Sequence, residues 1–449
     1  MTTRFPKWLT FSALLSLCPL VAACGGDDKG AKQNIEDQFP EAQHLTVKST
    51  KARAPASQGV AALADFTEDQ RAFNADLFAE LPAELDGKNA MISALSVQQA
   101  LGMTWAGAAG RTAAQMKDAL HFDDDAHAMQ NALEQALLSR AMPAVTSQNE
   151  RAEAVELSMA NAVWSRTDTT DKWRSAFLDA LAVNYGAGVE TLDFANAPEA
   201  SRLFINAWVE AQTKERIKDL LPPNSIGSTT ALVLTNAVYF KAPWQRAFEA
   251  SLTEQGDFAK LDGAKVEADF VREQGYLAYA EGAGWQAVEK PFRGGDLRML
   301  FVLPAAGAFD AFAEGFDDDR LDEIVAALQP AEVELALPKF EFETALSLVD
   351  PLKALGMTDA FDKDLADFSG MIDDHPLLIS DVFHKTFVAL DEKGVEAAAA
   401  TAVVMTDTAA PPADEPKAFR ADRPFFFAIR DAPTGAVLFY GRVMDPTAN

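Results

Sequence analysis

The chain has 449 residues, of which 49% are hydrophobic and thirty are Phe, so a sizeable core can form. Its formal net charge is −28. Acidic residues are spread along the whole length, which excludes a nucleic-acid or anionic-membrane partner, since both need a basic face.

In chain order, the N-terminus reads as an export signal rather than as fold. Arg4 and Lys7 precede an almost uncharged apolar run, residues 9–23, too short for a membrane span. The run ends Val21-Ala22-Ala23-Cys24, similar to a bacterial lipobox, in which Cys24 becomes the lipid-carrying first residue; a plain signal peptide that contains Cys is the alternative. Cys18 and Cys24 are the only cysteines, so the mature domain is expected to hold no thiol and no disulfide. Without the signal the balance is 37 basic against 67 acidic residues. The expected organisation is a lipoprotein signal over 1–23, a flexible tether over 24–64 and one domain over 65–449.

Helical spacing comes first: Phe73, Leu77, Phe78 and Leu81, then Val97, Ala100, Leu101, Thr104 and Trp105. A helix opens at Gly110-Arg111-Thr112 and ends near Leu120, and a long amphipathic helix is expected over 200–221, stopped by Pro222-Pro223. Strand patterns follow at 231–240, 297–303, 333–340, 377–390, 424–430 and 436–443, the last two joined by a turn over 431–435. Helices early and strands late, without regular alternation, predict an α+β fold with mainly antiparallel sheets.

Two buried polar positions stand out. Asn236 shares an alternating face with Leu234, Val238 and Phe240; His384 shares one with Val382, Thr386 and Val388. Buried polar groups are costly unless bonded, so these are expected to satisfy each other or nearby hydroxyls. No GxSxG, HExxH, Walker A or dinucleotide pattern occurs, and the five His are scattered without ligand spacing. Neither a catalytic residue nor a metal or cofactor is expected.

Seven segments, in order, carry a resemblance: NAMISALSVQQAL from Asn89, LTNAVYFKAPW from Leu234, LRMLFVLP from Leu297, LPKFEFETALSLVDPLKALGMTDAF from Leu337, ADFSGM from Ala366, ISDVFHKTFVALDEKGVEAAAATAVV from Ile379 and ADRPFFFAIRDAPTGAVLFYGRV from Ala421. The set resembles the serpins. The resemblance implies three β-sheets, about nine helices and an exposed reactive-centre loop. It also implies a suicide-substrate inhibitor: a serine protease, or a cysteine protease, cleaves the loop, stays joined as a covalent acyl complex, and is dragged as the loop enters the main sheet. It places Ser93, Ser96, Asn236 and His384 behind that sheet and Trp244 beneath the insertion point, with Ala94 standing where the family usually has Pro. A monomer, bound to membrane through its lipid alone, at the cell envelope or secreted, is implied.

The hinge of such a loop is Glu392, Gly394, Val395, Glu396, Ala397, Ala398, Ala399, Ala400 and Thr401. Every second residue from Val395 onward (Ala397, Ala399, Thr401, Val403, Met405) is uncharged and can face the core, leaving Glu396 on the solvent side. Gly394 reads as a pivot of wide φ/ψ range. Composition alone fits the Ala-rich end of a buried helix equally well; the position after HKTFVALDEKG selects the hinge. About twelve inserted residues form roughly fifteen to twenty ladder hydrogen bonds at ~0.5–1.5 kcal/mol net, on the order of 10–20 kcal/mol before the opposing ordering entropy.

Seventeen residues from Glu392, the family's usual hinge length, end at Thr408, so the presented bond is Thr408-Ala409, with Asp407-Thr408 or a bond near Ala413 as alternatives. Small residues there suit an elastase-like or subtilisin-like protease, and the absence of Arg or Lys between Lys393 and Lys417 disfavours trypsin-like targets. A non-inhibitory member acting as a carrier or an adhesion lipoprotein is the rival reading. The insertion register predicts that Val395→Arg turns inhibitor into substrate and leaves the uncleaved fold intact, which a denaturing gel and a melting curve check.

Overall fold

The computed structural model describes residues 35–56, 58–146, 151–373, 376–395 and 415–448. Cys24, the hinge residues Glu396 to Thr401 and the Thr408-Ala409 bond lie outside them. Among the described residues there are three sheets, of seven, nine and two strands, together with helices, in an α+β arrangement.

The seven-stranded sheet contains β1 (Leu45–Val47), β2 (Glu156–Arg166), β3 (Val189–Leu192), β4 (Leu232–Pro243), β5 (Phe340–Ser347), β6 (Ile379–Leu390) and β7 (Gly394–Val395). Their spatial order is β1-β3-β2-β4-β7-β6-β5, and β4 also pairs directly with β6. The nine-stranded sheet runs from Lys417–Arg420 through Gln329–Pro338, Lys265–Gly282, Trp285–Pro291, Leu297–Pro304, Phe425–Asp431 and Val437–Val443 to Ala90–Ile92, with Glu254–Ala259 paired beside Lys265–Gly282. Most pairings are antiparallel.

Helix α1 (Ala94–Trp105) is buried along nearly its whole length because it lies between the two large sheets, touching β2, β4 and Val437–Val443. Its first turn forms with Ala94 in place, Ser96 and Val97 donating their N–H groups to the Ser93 carbonyl at 3.1 and 3.2 Å. On the opposite face of the seven-stranded sheet, α2 (Pro198–Gln212) and the segment 213–230 build a second core. Trp164, Phe204, Ile205, Trp208, Ile217, Leu221, Val233, Ala237 and Phe383 meet there. With both faces covered, β4 is buried almost continuously rather than alternately.

Two expectations change. The helix expected over 200–221 ends at Gln212, because Lys214 and Glu215 take positive φ values of 54° and 64°. Ile217, Leu220 and Leu221 still bury, in an irregular segment fastened by Asn206, which exchanges two hydrogen bonds with Leu221 at 2.8 and 3.0 Å. Where it is described, the segment expected as a tether over 24–64 packs on the domain instead. Residues 35–56 run along the domain, and β1 pairs antiparallel with β3, Thr46 opposite Glu190. Ile35 and Ala42 bury in the second core. A three-residue strand among polar residues leaves no periodicity to read.

Candidate functional site: a half-open seam in the main sheet

β4 and β6 pair in parallel from Ile379 opposite Leu232 to Lys385 opposite Ala237. Above that point β7 stands between them. Gly394 pairs with Pro243 and Val395 with Ala242 on one side, while Leu390 pairs with Val395 on the other. The seam is therefore closed below and wedged at the top, and between those points no ladder pair joins β4 to β6.

The wedge is held by the turn before it. Asp391 accepts hydrogen bonds from the N–H groups of Lys393 and Gly394 at 2.7 and 3.1 Å. Burial pushes the Asp391 carboxyl up from its ordinary value, opposed by those two bonds. Trp244 donates its indole N–H to the Asp391 carbonyl at 3.1 Å and its backbone N–H to the Lys393 carbonyl at 2.7 Å. Its ring stacks on Phe292 with centroids 4.6 Å apart. Lys290, buried beneath and paired with Glu273, lies 4.3 Å from the Phe248 ring centroid. Burial draws its ammonium pKa down, against the raising effect of Glu273. Glu392 accepts from Thr253 at 2.9 Å and Lys339 at 3.3 Å. Trp244 thus supports the top of the seam, where sequence placed it; Lys290, Glu273, Thr253 and Lys339 were missed, having no signal of their own in one sequence.

Gly394 is needed for a different reason from the expected one. Its φ is not in the left-handed range; a Cβ built on it lies 2.2 Å from the Ala242 carbonyl oxygen and 2.6 Å from Pro243 Cα. Close approach to β4, rather than pivoting freedom, demands glycine.

At the lower edge of the opening sits a polar row. Asn161 on β2 lies opposite Asn236 on β4, which lies opposite His384 on β6. The Asn236 side-chain oxygen accepts from Ser96 Oγ at 2.7 Å and from His384 Nδ1–H. Asn236 Nδ2 donates to Asn161 Oδ1 at 2.6 Å, and Asn161 donates onward to Gln99 at 3.2 Å. His384 Nε2 accepts the backbone N–H of Ser93 at 3.1 Å, so the imidazole is the neutral Nδ1–H tautomer. Ser93 therefore joins through its backbone rather than its side chain. Complete burial lowers the His384 pKa to about 3, the Asn236 contact opposing it only in part. Protonation adds a hydrogen at Nε2 that faces another donor. Asn161 and Gln99 were not picked out in the sequence.

Among the described residues no group of three or more His, Cys, Asp or Glu is placed to hold a metal, and no helix is long and apolar enough to cross a membrane.

A family model described as serpin, serine protease inhibitor, matches residues 68–446, and the chain belongs to that family. It is 37% identical over 374 residues to an uncharacterised serpin-like protein, TK1782, of Thermococcus kodakarensis, covering 83% of this chain and 84% of that one. It is 34% identical over 385 residues to the leukocyte elastase inhibitor of Equus caballus, covering 83% and 97%. The structure of tengpin, a thermophilic serpin in its native state, superposes with a TM-score of 0.75 at 28% identity, covering 88% and 97%.

Two predictions follow from this geometry. Val395 is 2% exposed before any cleavage, so Val395→Arg burdens the uncleaved protein too, contrary to the expectation from sequence. Val395→Arg and Gly394→Ala should each lower the melting temperature of intact protein, by the ~1–3 kcal/mol of an overpacked or mispaired core site; unchanged melting means β7 does not hold its place. For His384, the folded value near 3 lies below the 6.5 of a free imidazole. Between those values the unfolded chain binds a proton that the folded chain refuses. Stability is then lost as pH falls from 6.5 toward 3, at up to about 1.4 kcal/mol per pH unit from this group. Unfolding of His384→Gln at pH 5 should take up about one proton fewer than wild type, measured by calorimetry in buffers of different ionisation enthalpy.

Proposed function

We propose that this protein inhibits serine-type proteases once per molecule, by loop cleavage and insertion into the seam between β4 and β6. The observation that carries this is the wedge itself: Gly394 and Val395 already occupy the first two positions of the missing strand, paired to both neighbours. A protease serine attacks the carbonyl carbon of Thr408, the Thr408–Ala409 amide bond breaks, Ala409 leaves as a free amine, and an ester joins enzyme to Thr408. Insertion before hydrolysis of that ester removes the enzyme from its working geometry.

Extending the observed register downward supports the same reading. Val395 opposes Ala242 and Leu390; counting antiparallel, Thr401 arrives opposite Asn236 on β4 and His384 on β6 together. Opening the seam by one strand width, about 4.8 Å, separates Asn236 from His384, and a hydroxyl that both donates and accepts can stand in for the lost bond. The outward-facing Ala400 and Ala402 pass beneath Ile217, Leu220 and Leu221, so small side chains suit the outer face as well as the inner one, where solvent alone was expected.

The likeness to the leukocyte elastase inhibitor agrees with small Thr408 and Ala409, and an elastase-like or subtilisin-like enzyme is the proposed target. Incubation with such enzymes should give a complex that survives denaturing electrophoresis; a clipped product alone contradicts inhibition. Thr401→Val should raise the molar ratio needed for full inhibition several-fold, by leaving the buried His384 Nδ1–H without an acceptor once the Asn236 bond is broken by insertion, and Thr401→Ser should restore it. We also propose export and lipid attachment at Cys24. Labelling with a fatty-acid analogue should tag wild type and not Cys24→Ser; equal labelling contradicts that site.

A further inference from the structure

The element that bars the seam from outside is tied down by a part of the chain that precedes the family match. The segment after α2 crosses from β4 to β6 at the height where pairing stops: Lys385 donates to the Lys218 carbonyl at 2.8 Å, and Ile217, Leu220 and Leu221 share a core with Ala237 and Phe383. A strand entering the seam has to pass beneath this crossing, and β1, β3, β2 and β4 have to move away from β6 as it does.

Residues 35–56 fasten α2 to that moving half. Ile35 and Ala42 bury against the core that contains Phe204, Ile205 and Trp208. Asp193 donates its N–H to the Ala42 carbonyl at 2.7 Å and accepts from Gln43 at 3.2 Å. Farther along, Ser49 bonds Asp179, and Arg53 bonds Asn131 and Glu134 at 2.7 Å each.

At the centre is His44. Its side chain is 3% exposed, its ring stacks on Phe204 of α2 with centroids 4.6 Å apart, and Trp164 of β2 lies at 6.4 Å. Nδ1 is 2.9 Å from Glu36 of the helical turn 35–38, and Nε2 is 2.7 Å from Glu190 of β3. Glu190 also accepts from Thr46. Both ring nitrogens thus face carboxylates, an arrangement that the doubly protonated imidazolium satisfies and the neutral ring only half satisfies.

We infer that residues 35–56 are a strap, clasped by His44 between Glu36 and Glu190, that holds α2 over the seam and brakes insertion of a strand. The inference rests on the insertion reading above.

The clasp has a definite pH sense. Burial works to lower the His44 pKa, but the hydrogen bonds and charges of Glu190 and Glu36 outweigh it and raise the value above 6.5. Its contribution is complete below 6.5 and is lost as pH climbs through the raised value. The brake therefore eases in mild alkali. The two histidines whose pKa values are lowered by burial, His384 and His127, titrate near 3 and 4, outside this window.

A synthetic peptide spanning residues 396–407 is offered to the intact, full-length protein, and its uptake into the sheet is followed by fluorescence anisotropy of a label on the peptide. At pH 6.5, His44→Gln should take up peptide roughly tenfold faster than wild type, the scale of one charge-assisted hydrogen bond lost. Glu36→Gln, a change at a partly exposed site that spares the core, should be faster by a smaller factor. Raising the pH to 9 should speed wild type and leave His44→Gln unmoved. Equal rates in all three proteins at both pH values overturn the strap while leaving insertion standing. No uptake by any of them overturns insertion and the strap together.

Discussion

Everything in this molecule turns on a seam that is only partly sewn. β4 and β6 share hydrogen bonds below Lys385 and Ala237 and are separated above by two residues of a third strand. Backbone groups in a sheet interior are expensive to leave without partners, and the ladder between β4 and β6 is interrupted between the wedge and the closed end. On the proposed insertion reading that interruption stores free energy, which a strand of the chain's own loop releases in the register set by the wedge, and the Asn161, Asn236 and His384 row lies at the lower edge of the opening.

The two faces of the seam play different parts. On the inner face α1 presents Ser96 and the backbone of Ser93 to the polar row, so separation of the strands exchanges named hydrogen bonds and does not simply expose apolar surface. On the outer face α2 and the crossing segment cover the path and press on Ala237 and Phe383. The proposed insertion needs the inner bonds to be replaced and the outer cover to yield; when the Val395 register is extended along the sequence, Thr401 falls where it would meet the first need, and Ala400 and Ala402 where they would meet the second.

Much of this was legible in the residues. His384 and Asn236 announced themselves as polar members of otherwise apolar alternating faces, and Trp244 and the start of the hinge, Glu392 to Val395, followed from the serpin resemblance. Asn161 did not, because β2 reads ELSMANAVWSR, where small and polar residues break the alternation on both faces. Lys265–Gly282 was missed because one of its faces is exposed and charged, which hides an eighteen-residue strand from a search for apolar runs. Residues 200–221 looked like one helix because Ile217, Leu220 and Leu221 keep burying after the backbone has turned. The 35–56 segment gave no sign, since its anchoring relies on isolated side chains such as Ile35, His44 and Arg53. Gly394 was recognised as necessary, but whether a glycine serves torsion or close approach is a tertiary fact.

The stored-energy account is tested most directly by nicking the loop once with a protease and melting the product beside the intact protein. A strand's worth of new hydrogen bonds, on the order of 10–20 kcal/mol before ordering entropy, predicts a rise in melting temperature on the order of 20 °C. A nicked chain that melts with the intact one contradicts it: the seam would then be a resting shape of the sheet with no strand to receive.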